Sequence, residues 1–139
     1  VIIMNETVEK LYKYALKGYN NAFAPYSKFK VGASVLLKNG EVIYGCNVEN
    51  SSFGLSNCAE RTTLFKAVSE GYKKDDFVAF LIIANTSKPV SPCGACRQVM
   101  SELLNPKTPV YLTNLNKDIY ETTVEGLLPY MFTGDVFNE

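Results

Sequence analysis

Residues 77–97 read FVAFLIIANTSKPVSPCGACR, and this stretch decides the fold. Its first part, residues 77–84, is an apolar run of eight residues. A membrane-spanning helix needs about 20 apolar residues, so the run predicts a strand that is buried on both faces. Residues 85–92 are expected to form a loop, and a helix should follow over residues 94–104 and end before Pro106. A buried strand followed by a loop and a helix is typical of an α/β fold.

Hydrophobic spacing and turn residues divide the rest of the chain into further helices and strands. Asn39-Gly40 lies between two β-prone runs and predicts a hairpin. The last two strands are joined by a connection too short for a parallel crossover, so they should pair antiparallel. The other expected elements are a helix from a cap at Asn5 or Thr7 to about Asn21, strands 29–37 and 41–47, helix 58–69 followed by Gly71, strands 110–114 and 119–123, and a helical turn over 124–128. This order predicts a three-layer α/β/α sandwich with a mixed five-stranded sheet, in a single domain over residues 1–139.

The composition excludes several classes of function. Lys plus Arg and Asp plus Glu each number 14, so the formal net charge is zero. A neutral chain lacks the basic surface of a nucleic-acid or anionic-membrane binder, and neither partner is expected. The 139 residues include no histidine, which excludes Ser-His-Asp triads, Cys-His dyads and H-E-x-x-H metallopeptidases. A metal site would have to use thiolates, carboxylates or main-chain oxygens.

The chain has four cysteines, Cys46, Cys58, Cys93 and Cys96, and their redox state depends on the compartment. The first residues, 1–5, lack the basic and long apolar segments of a secretory signal. The predicted core is large enough to fold without disulfides, so a reducing cytoplasmic location is expected. In that setting the cysteine spacing favours metal binding or catalysis.

Three of these cysteines are placed where predicted helices begin. Cys58 starts one helix, and Cys93 and Cys96 lie at the start of another. Unpaired N–H groups and the positive end of the helix dipole favour thiolates at such positions. Cys93 and Cys96 can bind one zinc ion from a single helical turn, and Cys58 can supply a third ligand. Three protein ligands and an open position filled by water are typical of a catalytic zinc, which lowers the pKa of that water to near 7.

Two charged residues follow Cys58. Glu60 can point beside the metal without binding it, and can therefore move a proton from the zinc-bound water. Three thiolates on Zn²⁺ leave a net charge of −1, which weakens the ion as a Lewis acid. Arg61 can offset this by donating hydrogen bonds to the sulfurs.

Other interpretations of these residues remain open. Cys93 and Cys96 are also compatible with a thioredoxin-like redox pair, although Cys58 and Glu60 then have no role. All four cysteines, Cys46 included, could form a closed structural zinc site in a non-catalytic binding module. Asn47 and Glu49 could be no more than a polar strand end, and Phe29 and Phe132 could be core or interface residues.

The combination of C-A-E with P-C-x-x-C resembles zinc nucleobase deaminases. Over nearly its whole length the chain resembles the small homotetrameric cytidine deaminases, whose zinc is held by three cysteines. The stretches that carry the resemblance are Ala24–Phe29, Gly45–Asn50, Asn57–Arg61, Ser91–Gln98 and Leu127–Pro129.

The resemblance implies a role for each site residue. One Zn²⁺ per subunit is bound by Cys58, Cys93 and Cys96, with Glu60 as the catalytic proton shuttle. The charge-tuning role expected of Arg61 rests instead on the negative charge that three thiolates give the zinc centre. The resemblance further implies a set of residues that contact the nucleoside: Asn47 and Glu49 on the ribose, Phe29 on the pyrimidine, the main chain of Ala59 and Ser91 on the base edge, Phe53 by aromatic packing, and Phe132 in a neighbouring subunit's site.

The function implied is zinc-dependent hydrolysis of cytidine and deoxycytidine to uridine and deoxyuridine, with release of ammonia, in pyrimidine salvage. Asn47 and Glu49 are two residues apart at a strand end, so both can face one side of the sheet and bind two sugar hydroxyls. A site built around those hydroxyls should reject free cytosine. A blasticidin-type nucleoside deaminase is the nearest alternative. A polynucleotide deaminase fits less well, because the chain has no evident basic channel.

Overall fold

The computed structural model describes residues 5–138, which form four α-helices around one five-stranded sheet. Residues 1–4, where no secretory signal is expected, lie outside this range. Among the described residues, no helix combines the length and apolar character needed to cross a membrane. The elements are α1 (Glu6–Asn21), β1 (Val31–Leu37), β2 (Val42–Cys46), α2 (Ala59–Ser69), β3 (Phe77–Ala84), α3 (Gly94–Leu103), β4 (Pro109–Asn114), β5 (Ile119–Thr123) and α4 (Val124–Leu127).

The element order matches the expectation from the sequence. The Asn5 side chain caps α1 by accepting a hydrogen bond from the Val8 N–H at 2.9 Å. Gly40 has a φ of 88° in the turn between β1 and β2, a conformation that glycine adopts without a steric penalty. The hairpin prediction is therefore confirmed.

One strand begins later than the sequence predicts. The expected start of β1 is Phe29, and the observed start is Val31. Lys28 has a φ of 61°, which turns the chain just before the strand. The Asn47 side chain then bonds the carbonyl of Phe29 and the N–H of Val31, so these main-chain groups are held by a side chain. Phe29 is thus freed from the sheet and lies in a loop.

The sheet has the strand order β2-β1-β3-β4-β5, with β3 and β4 parallel and the other pairs antiparallel. The mixed sheet and the antiparallel β4–β5 pair are as predicted. Val31 at the start of β1 lies opposite Ala84 at the end of β3, and Gly32 lies opposite Cys46 at the end of β2. The loops before β1, after β2 and after β3 consequently meet at one end of the sheet.

Helices cover both faces of the sheet. Leu81 and Ile83 of β3 belong to a buried cluster with residues of α1, including Leu11. Phe80 and Ile82 belong to a second cluster with residues of α2 and α3. Alternate residues of β3 therefore face opposite layers, as expected for a strand buried on both sides. Because α2 and α3 lie on the same face, their first turns both reach the end of the sheet where the loops meet.

Candidate active site

The starts of α2 and α3 bring three cysteines together. The Sγ atoms of Cys58, Cys93 and Cys96 all lie within 4.8 Å of one another, and those of Cys93 and Cys96 are 3.5 Å apart. Cys58 and Cys93 occupy the N-cap positions of their helices, and neither side chain caps its own helix. Both thiols are therefore free to point at the third, Cys96, which is fully buried in the first turn of α3.

The fourth cysteine does not join this cluster. The Sγ of Cys46 lies 3.7 Å from the carbonyl oxygen of Asn21, beside α1. Within residues 5–138, the grouped potential metal ligands are Cys58, Cys93 and Cys96 alone. This arrangement argues against a closed four-cysteine site. A simple redox pair needs only Cys93 and Cys96, so the position of Cys58 beside them also argues against that interpretation.

The cluster fits one zinc ion. A Zn–S bond is about 2.3 Å long, so sulfurs around a tetrahedral zinc are separated by about 3.8 Å. The observed sulfurs, one pair 3.5 Å apart and all within 4.8 Å of one another, are close enough to bind a single ion, and three thiolates form a suitable donor set for zinc. Arg61 Nη2 donates to the Cys58 sulfur at 3.2 Å, whereas the Arg61 Nε is buried and has no partner within the described chain. An unsatisfied buried donor beside the sulfurs fits a cluster that carries negative charge.

The protonation of the cysteines is uneven. The Cys96 thiol donates to Cys58 and, together with the Arg61 guanidinium, lowers the pKa of Cys58 to about 5. The same bond and the burial of Cys96 raise the pKa of Cys96 above its ordinary value. Before metal binds, Cys58 is therefore the thiolate of the cluster and Cys96 remains a thiol. A metal ion that binds all three sulfurs must displace protons.

Glu60 lies beside the cluster without being part of it. Its side chain is 4% exposed, and burial raises the pKa of its carboxyl group. The Glu60 carboxyl lines the same cavity as Cys58 and Cys93. A buried carboxyl group with a raised pKa beside a cavity is suited to accept and release a proton.

The cavity next to the cysteines has a volume of about 290 Å³. Its size suits a small molecule, and its walls come from the loops that meet at the end of the sheet. The cavity brings together eight of the residues predicted for the site: Phe29, Asn47, Glu49, Cys58, Ala59, Glu60, Ser91 and Cys93. The other lining residues are Ser27, Val31, Ile82 and Val90.

Two predicted aromatic residues lie outside this cavity. Phe53 is 76% exposed and lines a neighbouring depression of about 390 Å³, which shares Ser27 and Glu49 with the main cavity. Phe132 is 59% exposed and packs edge-to-face on Phe137, with the ring centroids 6.2 Å apart. A single copy of the chain therefore leaves both aromatic rings away from the cysteine cluster.

Asn47 and Glu49 both reach the cavity, but their side chains are held in different ways. Asn47 Nδ2 donates to the Phe29 carbonyl at 2.8 Å, and its Oδ1 accepts from the Val31 N–H at 2.9 Å. Glu49 accepts from the N–H groups of Tyr26 and Ser27 and from the Ser27 hydroxyl. Hydrogen bonding from Ser27 lowers the pKa of Glu49, which is therefore a carboxylate at neutral pH.

Sequence reasoning assigned no role to Ser27 or to the turn that contains it. The signal was present in the stretch APYSKF (residues 24–29), where a turn with a small hydroxyl residue precedes a strand. Such a turn offers consecutive N–H groups, which bind a carboxylate. The partner of those groups, Glu49, lies more than 20 residues further along the chain, so the contact became apparent only from the fold.

Taken together, the cavity is lined by two cysteines of a thiolate metal site, by the buried Glu60 and by the ionised carboxylate of Glu49. A zinc ion held by such cysteines can activate water for attack on a polar molecule in the cavity.

Comparisons with known proteins agree with this chemistry. The family model for the cytidine and deoxycytidylate deaminase zinc-binding region matches residues 5–113. The chain is 54% identical to a cytidine deaminase of Halalkalibacterium halodurans, over 94% of this chain and 98% of that protein. It is also 54% identical to a cytidine deaminase of Sporosarcina psychrophila, over 91% of each chain.

A solved structure gives the same result for the fold. The crystal structure of cytidine deaminase from Burkholderia pseudomallei superposes with a TM-score of 0.88 at 47% identity, and covers 93% of this chain and 100% of that one. With the three cysteines grouped and a matching sequence over most of its length, the chain belongs to the cytidine and deoxycytidylate deaminase family of zinc enzymes.

Proposed function

We propose that this chain, acting as a single domain over residues 1–139, hydrolyses cytidine and deoxycytidine to uridine and deoxyuridine with release of ammonia, as a step of pyrimidine salvage. One observation carries the proposal: Glu60 and two members of the three-cysteine cluster, Cys58 and Cys93, line the same cavity as Asn47 and Glu49. We infer that a nucleoside binds in this cavity with its base at the metal and its sugar at the Glu49 carboxylate.

The metal is bound by Cys58, Cys93 and Cys96, and zinc held there supplies Lewis acidity that lowers the pKa of water. Glu60 accepts a proton as water adds to C4 of the ring, and gives that proton to N3. It then carries the remaining hydroxyl proton to the exocyclic amine, and the C4–N bond breaks to release ammonia. Burial raises the pKa of Glu60, which increases the affinity of its carboxylate for the proton that it transfers.

Arg61 adjusts the charge of the metal site. Its guanidinium donates to Cys58 at 3.2 Å and removes electron density from that sulfur. A less electron-rich thiolate leaves the zinc ion a stronger Lewis acid. The contact is therefore a means of offsetting the net charge of −1 that three thiolates impose on Zn²⁺.

The nucleoside is held by the other cavity residues. The Glu49 carboxylate and the second Nδ2 hydrogen of Asn47 bind the ribose hydroxyls. Hydrogen bonds to the main chain already fix both side chains, so little side-chain entropy is lost when the sugar binds. Phe29 packs on the pyrimidine, and the main chain of Ala59 and Ser91 bonds the base edge.

The complete site forms in a homotetramer. Phe132 is exposed and lies outside the cavity of its own chain, so we infer that it closes the site of a neighbouring subunit. Phe53 is exposed and lines the depression beside the cavity, and we infer that it contributes aromatic packing to the bound nucleoside. The free thiols of the cluster suit a reducing compartment, and the enzyme is placed in the cytoplasm.

The test is the loss of ultraviolet absorbance when zinc-loaded protein is mixed with cytidine, with uridine and ammonia identified as products. Protein stripped with a chelator should be inactive and should recover when zinc is restored. Free cytosine, which lacks the ribose, should react far more slowly than cytidine. Zinc-loaded protein that leaves cytidine and deoxycytidine unchanged would refute the proposal, and preferential turnover of blasticidin S would favour the alternative deaminase.

A further inference from the structure

The chain has two arginines, and both lie at the metal cluster. Arg61 follows Cys58 by three residues, and Arg97 follows Cys96 directly. Their contacts differ in kind. Arg61 donates to a cysteine sulfur, whereas the side-chain hydrogen bonds of Arg97 within the described residues all go to neutral oxygens.

These oxygens belong to two separate parts of the chain. Arg97 Nε donates to the Pro92 carbonyl at 2.8 Å, and Nη2 donates to the Ser91 hydroxyl at 2.7 Å. The remaining donor, Nη1, reaches the carbonyl of Leu127 at 2.7 Å, 30 residues further along. A single half-buried guanidinium thus joins the loop before Cys93 to the segment that begins at Leu127.

The loop over residues 90–93, here called the metal loop, has few other attachments. It has no regular secondary structure, and Pro92 has no N–H to donate. Its main-chain bonds lie at its two ends: the Val90 N–H donates to the Thr113 carbonyl at 3.3 Å, and the Arg97 N–H donates to the Cys93 carbonyl at 3.0 Å. Between these ends, Arg97 bonds both Ser91 and Pro92.

The next residue extends the connection on the other side. Gln98 Nε2 donates to the Phe132 carbonyl at 3.1 Å. Arg97 and Gln98 therefore hold both ends of residues 127–132, here called the C-terminal segment. Two consecutive side chains of α3 tie this segment to the helix that also carries Cys96.

We propose that Arg97 is a positioning residue, whose guanidinium fixes the metal loop against the C-terminal segment so that Cys93 and the Ser91 main chain face the cavity. A guanidinium presents several N–H donors in one rigid plane, and three acceptors in different directions use that geometry. A lysine ammonium keeps the charge but cannot hold all three oxygens in place. The kinetic consequence rests on the proposed function, whereas the effect on Cys93 does not.

The test compares Arg97→Lys with the wild-type holoenzyme in two measurements. The first is the rate at which zinc is released to a chromogenic chelator, and the second is kcat and KM for cytidine. We expect zinc release about tenfold faster and kcat/KM about tenfold lower, the effect typical of losing an outer contact of a metal site. Ser91→Ala removes one of the three acceptors and should shift both quantities in the same direction by less.

Lys107→Met is the matched control. Lys107 forms an ion pair with Glu125 at 2.7 Å, so this change loosens α4 next to the C-terminal segment without touching the metal loop. It should leave zinc release and kcat/KM unchanged. If it alters them as much as Arg97→Lys, the effect comes from general loosening and the proposal fails.

The remaining outcomes are also decisive. The proposal is overturned if Arg97→Lys matches wild type in zinc release and kcat/KM. A lower melting temperature alone would give Arg97 a purely structural role. If Arg97→Lys does not fold, Ser91→Ala decides by the same two measurements. A wild-type protein that does not act on cytidine would refute the proposed function, and zinc release would still test the role of Arg97.

Discussion

The starts of α2 and α3 meet at one metal site, yet they contribute different things. At α2, a cysteine is followed by Glu60 and Arg61, whose side chains carry charge into the site. At α3, two cysteines are followed by Arg97, whose donors go to neutral oxygens. On the roles proposed for these residues, the first helix start supplies proton transfer and charge, and the second supplies ligand geometry.

The difference shows how an arginine beside a thiolate site acquires its role. Both guanidinium groups have the same charge and lie within one turn of a ligand. Arg61 has a sulfur as acceptor and affects the electronic properties of the site, whereas Arg97 has three oxygens as acceptors and affects position. The acceptor, more than the charge, decides what the arginine does. The two arginines should therefore respond differently to replacement by lysine, which keeps the charge but not the guanidinium geometry.

The largest loss of turnover is expected for Glu60→Gln. The amide keeps the shape of the side chain but cannot take a proton, and general acid–base groups contribute about 10²–10⁴-fold to rate. The variant should retain zinc, because Glu60 lies outside the cysteine cluster. Steady-state assays with cytidine and metal analysis of the same sample measure both quantities. A zinc-loaded variant with full turnover would show that Glu60 takes no part in the mechanism. The start of α2 would then have no role in proton transfer.

The next effect is on metal content and involves both helix starts. Cys58→Ser and Cys96→Ser each remove a proposed ligand, so zinc affinity should fall by more than about tenfold, the loss expected from an outer contact alone. Cys46→Ser is the matched control, since the Cys46 sulfur faces the Asn21 carbonyl and should not affect zinc binding. Competition with a chelator gives the affinities. Loss of zinc in Cys46→Ser would revive the closed four-cysteine site.

Much of the metal centre could be predicted from the sequence because its parts are local. The spacing of Cys93 and Cys96 places both thiols on one helical turn, and Cys58 and Glu60 share another. Helix starts and hairpin turns have short sequence signals, so the elements that position these residues were also predicted. The grouping of all three sulfurs needed only that the two helix starts meet at one end of the sheet.

Contacts between distant segments could not be predicted in the same way. The bond from Arg97 to Leu127 joins residues 30 positions apart, and the direction of a guanidinium is not encoded in local spacing. The two-residue delay in the start of β1 has a similar origin, because the side chain that holds Phe29 belongs to Asn47. Such side-chain to main-chain bonds depend on the finished fold and leave no periodic signal in the sequence.

A moderate effect is expected for Arg61→Ala. Loss of the donor to Cys58 leaves the sulfur more electron-rich, so kcat/KM for cytidine should fall about 10–100-fold while the fold is kept. Arg61→Lys, which restores a cation, should recover part of the activity. This response separates Arg61 from Arg97, for which lysine is expected to be the damaging substitution. Equal kinetics and equal zinc affinity in Arg61→Ala and wild type would contradict a role in tuning charge.

The smallest effect is expected at Glu49, away from both helix starts. Glu60 and Glu49 line the same cavity, but burial raises the pKa of Glu60, whereas hydrogen bonds from Ser27 lower that of Glu49. In Ser27→Ala the pKa of Glu49 should rise toward its ordinary value, which carbon-detected NMR of the carboxyl group can follow.

A group with a lowered pKa in the folded state stabilises the fold above its unfolded pKa, and this contribution disappears as the pH falls through the folded value. The melting temperature of Ser27→Ala should therefore lie slightly below that of wild type at pH 7, and the gap should close in acid. If the difference in melting temperature persists or widens in acid, Ser27 stabilises the turn without acting through the Glu49 carboxylate. The carboxylate is then held only by the N–H groups of Tyr26 and Ser27.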